Sequence, residues 1–261
     1  MHLTKLQAVS RVVVAVAAVG SVLNACSLFG GDKPDDAAPV GYPRSWIWEA
    51  AKGISLQAGE AKAVRAWVES QTLYQDSRVS YPGFAAATSA ELLDGMVAAN
   101  SSSQGGGTDR YLVRSLVVQN QELRVSLCSD RWDEFGFRAD GSFIDAGTEL
   151  AVRELVMRKP ATTSTPPSEA TTRSLTGGQP TTPVPVGRLP YSQWLKGPTT
   201  NVFDGWVAAS WGVSVKPPPD CIAWFKRNHP QLDYPTGYGR DNRPNQPKSP
   251  PPPTLPGSPG W

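Results

Sequence analysis

Leu123-Arg124-Val125-Ser126-Leu127-Cys128 alternates apolar and polar residues, the period of a strand with one face buried and the other wet. The flanking sequence extends that period. Tyr111 to Val118 predicts a strand, and Gln119-Asn120-Gln121 a turn back into Leu123. Downstream, Asp130 to Asp133 is polar, and Glu134-Phe135-Gly136-Phe137-Arg138 alternates again. Ala139-Asp140-Gly141-Ser142 is a hairpin-turn signal, after which Phe143-Ile144 resumes. Thr148 to Arg158, with Val152, Leu155 and Val156, reads as a further strand; a helix over Glu149–Met157 is the competing reading.

Helical periods precede this sheet. Ala63, Val64, Trp67, Gln71 and Tyr74 recur three and four apart, predicting a helix from Gly59 to Tyr74 with Glu60, Lys62, Arg65 and Glu69 largely off its apolar stripe. After a loop at Pro82-Gly83, Thr88-Ser89-Ala90-Glu91 has the form of a capping box, with Thr88 as N-cap. Leu92, Leu93, Met96 and Val97 give the second helix its buried face, ending near Asn100. Ser101 to Gly107 reads as a linker, since no Lys-Ser/Thr follows to make a phosphate loop. Trp46 and Trp48 read as the start of packing, with interfacial aromatics near lipid headgroups as the competing reading. Helices followed by antiparallel strands are an α+β pattern.

Beyond the sheet, order and disorder alternate. Pro160 to Pro190 is dense in Thr and Pro and cannot bury enough apolar area to offset ordering entropy, so an inserted disordered loop is expected, with a plain solvated loop and an acceptor for O-linked sugars as the two readings of it. Tyr191-Ser192-Gln193-Trp194-Leu195 predicts another strand and Asn201 to Val213 the last one, with Trp206 and Trp211 on opposite faces. Cys221 to Lys226 reads as a short terminal helix. From His229 the chain reads as a tail whose Pro250-Pro251-Pro252-Pro253 imposes polyproline II geometry.

The first residues carry an address. Lys5 and Arg11 are the only charges before Cys26, and Val12 to Leu23 is an uncharged run of about a dozen residues, the length of a signal-peptide core and short of the ~20 that a membrane span needs. Leu23-Asn24-Ala25-Cys26 resembles the lipobox of bacterial lipoproteins, with Leu three residues before the cysteine and the small Ala25 immediately before it. That resemblance implies cleavage between Ala25 and Cys26, lipidation of the Cys26 thiol, acylation of its new amino group, and a protein anchored on the extracytoplasmic face of a membrane. The competing reading is an ordinary signal peptide with a chance cysteine. Four regions follow: a signal peptide over 1–25, a flexible tether over 26–44, an α+β domain over 45–228 with the Thr/Pro insertion at 159–190, and a Pro-rich tail over 229–261.

Lys5 and Arg11 account for the formal charge of +2, so the remainder is neutral and gives no reason to expect nucleic acid as partner. With Cys26 lipidated, Cys128 and Cys221 remain. In an oxidising compartment they are expected to form a disulfide closing about 90 residues, worth up to ~4–5 kcal/mol in the chain-entropy picture, against the alternative of two buried thiols.

Tyr74 with Tyr81-Pro82-Gly83 after a helix, Leu123 to Asp130, and the Asp140-Gly141 turn are similar to exported actinobacterial proteins of the NTF2/SnoaL-like superfamily. The resemblance covers roughly Trp46 to Val213, with the Thr/Pro insertion as a departure. It implies that the N-terminal helices pack on a curved antiparallel sheet to form a cone, and that an enzyme of this kind would hold an Asp, His or Tyr deep within it. His229, the one histidine of the mature chain, sits beside Pro230 at the start of the tail, poorly placed for acid–base work. Asp130, Asp133 and Glu134 have the composition of a carboxylate pair, but their spacing beside a hairpin favours a solvated turn. No metal or cofactor motif is present. The expectation is a non-enzymatic binding or scaffold module, with the membrane and envelope or surface proteins as partners; a small-ligand carrier or enzyme using an apolar cone is the alternative.

Overall fold

The computed structural model describes residues 40–98, 105–137, 143–145, 150–160, 188–214, 216–231 and 254–258, all within one unit, Ala38–Trp261. Ala25, Cys26, the 139–142 turn and most of the Thr/Pro stretch (161–187) lie outside them.

In chain order the elements are β1 (Val40–Gly41), β2 (Arg44–Ala50), α1 (Gly59–Ser77), α2 (Ala90–Ala98), β3 (Gly105–Gln119), β4 (Glu122–Phe137), β5 (Phe143–Asp145), β6 (Leu150–Arg158), β7 (Leu189–Pro190), α3 (Tyr191–Trp194), β8 (Val207–Ser214) and α4 (Pro219–Asn228). The class is α+β. One sheet runs β2-β3-β4-β6-β8, with β5 added beside the end of β4, and β1 pairs with β7 separately. Two expectations are corrected here. A strand precedes the helices, and it pairs with β3 in parallel, Arg44 against Gly107 through Ala50 against Val113, so the sheet is not wholly antiparallel. Val40–Gly41 and Arg44, read as part of the flexible tether, are in strands.

The central hairpin follows from its turn. Gln119 pairs with Glu122, so Asn120 and Gln121 form a two-residue loop, and both have positive φ (50° and 62°). That geometry matches the natural twist of two antiparallel strands. Along β4, Leu123, Val125 and Leu127 face the large core under α1, whereas Cys128 faces a second cluster with Leu150, Val152, Trp224 and Phe225. The strand period therefore sorts residues between a face covered by α1, α2 and α3 and a face covered by α4. The Cys128–Cys221 disulfide joins β4 to α4 on that second face. Among the described residues, no helix is long and apolar enough to cross a membrane.

Several local expectations move. Thr88 does not cap α2: its Oγ1 accepts from Trp67 Nε1 (3.0 Å) and donates to the Phe84 carbonyl (2.8 Å), so it is spent. Ser89 Oγ instead accepts the Leu92 amide (3.4 Å). Tyr191–Trp194 is a helical turn rather than a strand, with Tyr191 and Trp194 buried. Trp206 precedes β8, so strand alternation does not reach it, and both tryptophans pack on the α1 face, Trp211 edge-on to Trp67 with ring centres 5.4 Å apart. Trp46 and Trp48 are buried.

Gly105 to Gly107 is not linker but the start of β3, threaded between β2 and β4. A Cβ on Gly107, whose φ is +106°, would lie 2.1 Å from the Asp133 carbonyl oxygen. Gly95 in α2 has open space around it. In urea unfolding, Gly107→Ala is expected to lower stability by at least about 2 kcal/mol, while Gly95→Ala raises it by about 0.5–1 kcal/mol.

Candidate functional site

The chemistry-bearing residues are gathered in the interior around β2, in two polar groups and a latch. The first centres on Arg44, at the start of β2. Its Nη1 donates to Asp109 Oδ2 (3.0 Å) and Glu134 Oε1 (2.6 Å), and its Nη2 to Asp76 Oδ2 (3.1 Å). Arg131 pairs with Glu134 from the other side. One guanidinium thus ties β2 to the end of α1, to β3 and to β4. Asp109 reaches it because the β3–β4 register slips between Thr108 and Arg110. In a regular strand neighbouring side chains diverge, whereas a bulge re-aims one of them; here Thr108, Asp109 and Arg110 are all buried.

Burial works against the charge on Arg44, but Glu134, Asp76 and Asp109 outweigh it and hold the guanidinium more firmly protonated than in water. The two carboxylates it bridges are not equivalent. Desolvation and then the neighbouring Glu134 push Asp109 upward, while Arg131 and Arg44 overcome desolvation at Glu134 and hold it down. Asp109 is the member that takes a proton first.

The second group lies beneath α1. Glu69 Oε1 accepts from Trp48 Nε1 (2.8 Å) and Oε2 from the Tyr81 hydroxyl (2.7 Å), and the Arg65 guanidinium lies 6.0 Å from the Trp48 ring centre. Arg65 and Glu69 are both buried, correcting their placement off the buried stripe, whereas Glu60 and Lys62 are half-buried. Desolvation raises the Glu69 carboxyl from its ordinary 4.5 to about 7, against the opposing pull of Arg65 and its two hydrogen bonds. Burial also pushes the Tyr81 hydroxyl well up, reinforced by Glu69. A neutral carboxylic acid beside a phenol can donate or accept a proton near neutral pH, but both of its oxygens are already engaged.

The residues singled out on β4 are not a solvated turn. They lie within one continuous strand, and Asp130 and Glu134 are buried. Each carboxylate is partnered: Glu134 by Arg44 and Arg131, Asp133 by Arg110 (2.5 Å), and Asp130 by His229, with Arg110 Nη1 also 4.0 Å from Asp130 Oδ2. The Asp130–His229 contact, Oδ2 to Nε2 at 2.8 Å, is the latch. The other Asp130 oxygen accepts the Trp132 amide (3.0 Å), and the imidazole packs against Phe225. His229 is thus buried at the end of α4, not free at the head of a tail. Cys128, Cys221 and Asp220 bring potential metal ligands together, but both sulfurs are joined to each other and Asp220 pairs with Arg114 (2.7 Å).

Glu69 and His229 escape the sequence for one reason: each acquires its environment from residues far along the chain. The available signal for Glu69 was its i, i+4 spacing from Arg65, a pair more often found on an exposed helix face. Comparison with known protein families, curated proteins and solved structures finds no match to this chain.

A carboxyl whose pKa is raised on folding binds more protons in the folded state than in the unfolded one. Its contribution is therefore complete below the unfolded value and lost as pH rises through the folded value. Stability is expected to fall between pH 5 and pH 8, and Glu69→Gln to flatten that slope by about 2 kcal/mol in urea titrations at the two pH values. An unchanged slope in the variant would place the titration elsewhere.

Proposed function

We propose that this chain is a lipoprotein anchored through Cys26 on the extracytoplasmic face of a membrane, and that its α+β domain is a binding or scaffold module of the cell envelope. The observation that carries this reading is the Cys128–Cys221 disulfide, buried between β4 and α4. Such a crosslink belongs to an oxidising compartment, the one to which the Val12–Cys26 stretch would deliver the chain. The scaffold reading is supported by how the interior charges are used. Arg44, Asp109, Glu134, Asp130 and His229 hold elements to one another.

The NTF2-like reading of the domain is supported by two long strands, β3 and β4, whose register slips twice, and by α1 lying over one face of the sheet. Glu69 favours the ligand-carrier alternative, because it supplies the interior ionisable group which a cone-type site needs.

Intact mass of the protein extracted from native membranes tests the anchor. The expected species begins at Cys26, carries acyl chains, and is lighter by two hydrogens than the Cys128/Cys221 dithiol. An unlipidated N-terminus overturns the anchor, and a dithiol mass overturns the compartment argument. Reduction is expected to cost the folded domain about 2–5 kcal/mol in thermal melts. The scaffold and carrier readings separate on Glu69→Gln: envelope cross-links survive it in the first and are lost with ligand in the second.

A further inference from the structure

The strand order leaves β2 at one edge of the main sheet, with β3 on its other side. In parallel pairing, alternate residues of β2 turn their backbone groups towards β3 and the rest turn them outward. An outward row of unpaired amides and carbonyls is a template for another strand, and proteins cover such edges. Here the cover comes from the far end of the chain. The Ser258 amide donates to the Trp46 carbonyl (2.9 Å), and Ser258 Oγ accepts the Trp48 amide (2.7 Å) and lies 3.4 Å from the Trp48 carbonyl. Thr254 Oγ1 donates to the Pro43 carbonyl (3.0 Å), and the Leu255 amide donates to Thr108 Oγ1 (2.9 Å). Thr254 is buried.

We propose that the outward edge of β2, with Pro43 and Thr108, is a binding strip for an extended peptide carrying hydroxyl residues four apart, and that the chain's own Thr254–Ser258 is its resident ligand. Four features argue for recognition rather than incidental contact. Both backbone groups of Trp48 meet one hydroxyl, a match that an apolar side chain at position 258 cannot make. Leu255 is met by a side chain, Thr108, whose hydroxyl is itself positioned by Ser45 Oγ at 3.0 Å. Pro256 and Gly257 stand between the two contact points, so the segment touches the strip at its ends and needs no continuous ladder. Finally, the contacts span from 147 to 211 positions of sequence, so nothing in local chain geometry forces them.

The test uses the full chain. Ser258→Ala removes the acceptor for the Trp48 amide without altering the backbone, and amide exchange at Trp48 is expected to accelerate by roughly tenfold. Thr254→Val gives a smaller change in the same direction. A labelled synthetic peptide spanning 250–261 is expected to bind the Ser258→Ala chain at least roughly fivefold more tightly than the unaltered chain, whose own segment competes from an attached position. The same peptide carrying Ser258→Ala is expected to bind neither. Unchanged Trp48 exchange in both variants, equal binding of the native peptide to the two chains, or equal binding of the two peptides would each overturn the proposal. The readouts do not depend on Cys26 or on Glu69, so they stand apart from the proposed function.

Discussion

The fold depends on one guanidinium. Arg44 sits in a region from which water is excluded, and no apolar packing in the core would tolerate it alone, since an unpaired buried ion costs several kcal/mol. Three carboxylates from three other elements converge on it. The requirement runs both ways: Asp76, Asp109 and Glu134 need a cation as much as Arg44 needs anions, and Arg131 supplies the second one. Replacing the whole group by apolar residues of similar volume can be neutral, whereas deleting one member strands the others. What the group adds is register. It fixes where β2 lies against β3 and where the end of α1 meets both, a selection that interchangeable apolar contacts make less sharply.

Much of the sheet was legible because strand period is a local property. Leu123 to Cys128, the Asn120-Gln121 turn and the β6 pattern need only their neighbours to be read, and α1 announced itself through Trp67 and Tyr74. What sequence did not disclose is decided at long range. Thr88 looks like a cap until Trp67 takes its hydroxyl. Gly105 to Gly107 look like linker until β2 and β4 close on both sides, leaving room for no side chain. Tyr191 to Trp194 has strand composition but is turned into a helix between β7 and the core.

The polar interior was the least legible part. A run such as Ser129-Asp130-Arg131-Trp132-Asp133-Glu134 has the composition of a surface turn, and hydropathy assigns it to solvent. The structure buries Ser129, Asp130 and Glu134 and half-buries the residues between them, because their partners arrive from elsewhere: Arg44 from β2, Arg110 from β3 and the His229 imidazole from beyond α4. Burial of a charge is a property of the set, and no window of sequence contains the set. The same holds for Glu69, whose partners Trp48 and Tyr81 lie on either side of it in the chain and on neither side in its helix.

The disulfide has a topological consequence for the chain as a processed molecule. Cys128 and Cys221 lie 93 positions apart, and the Thr/Pro-rich stretch falls between them. A protease cutting anywhere within it yields two polypeptides that remain one covalent particle, with β6 still laddered between β4 and β8. Such a nicked form would migrate as intact protein until reduced, and release of either fragment would require a reductant as well as a peptidase.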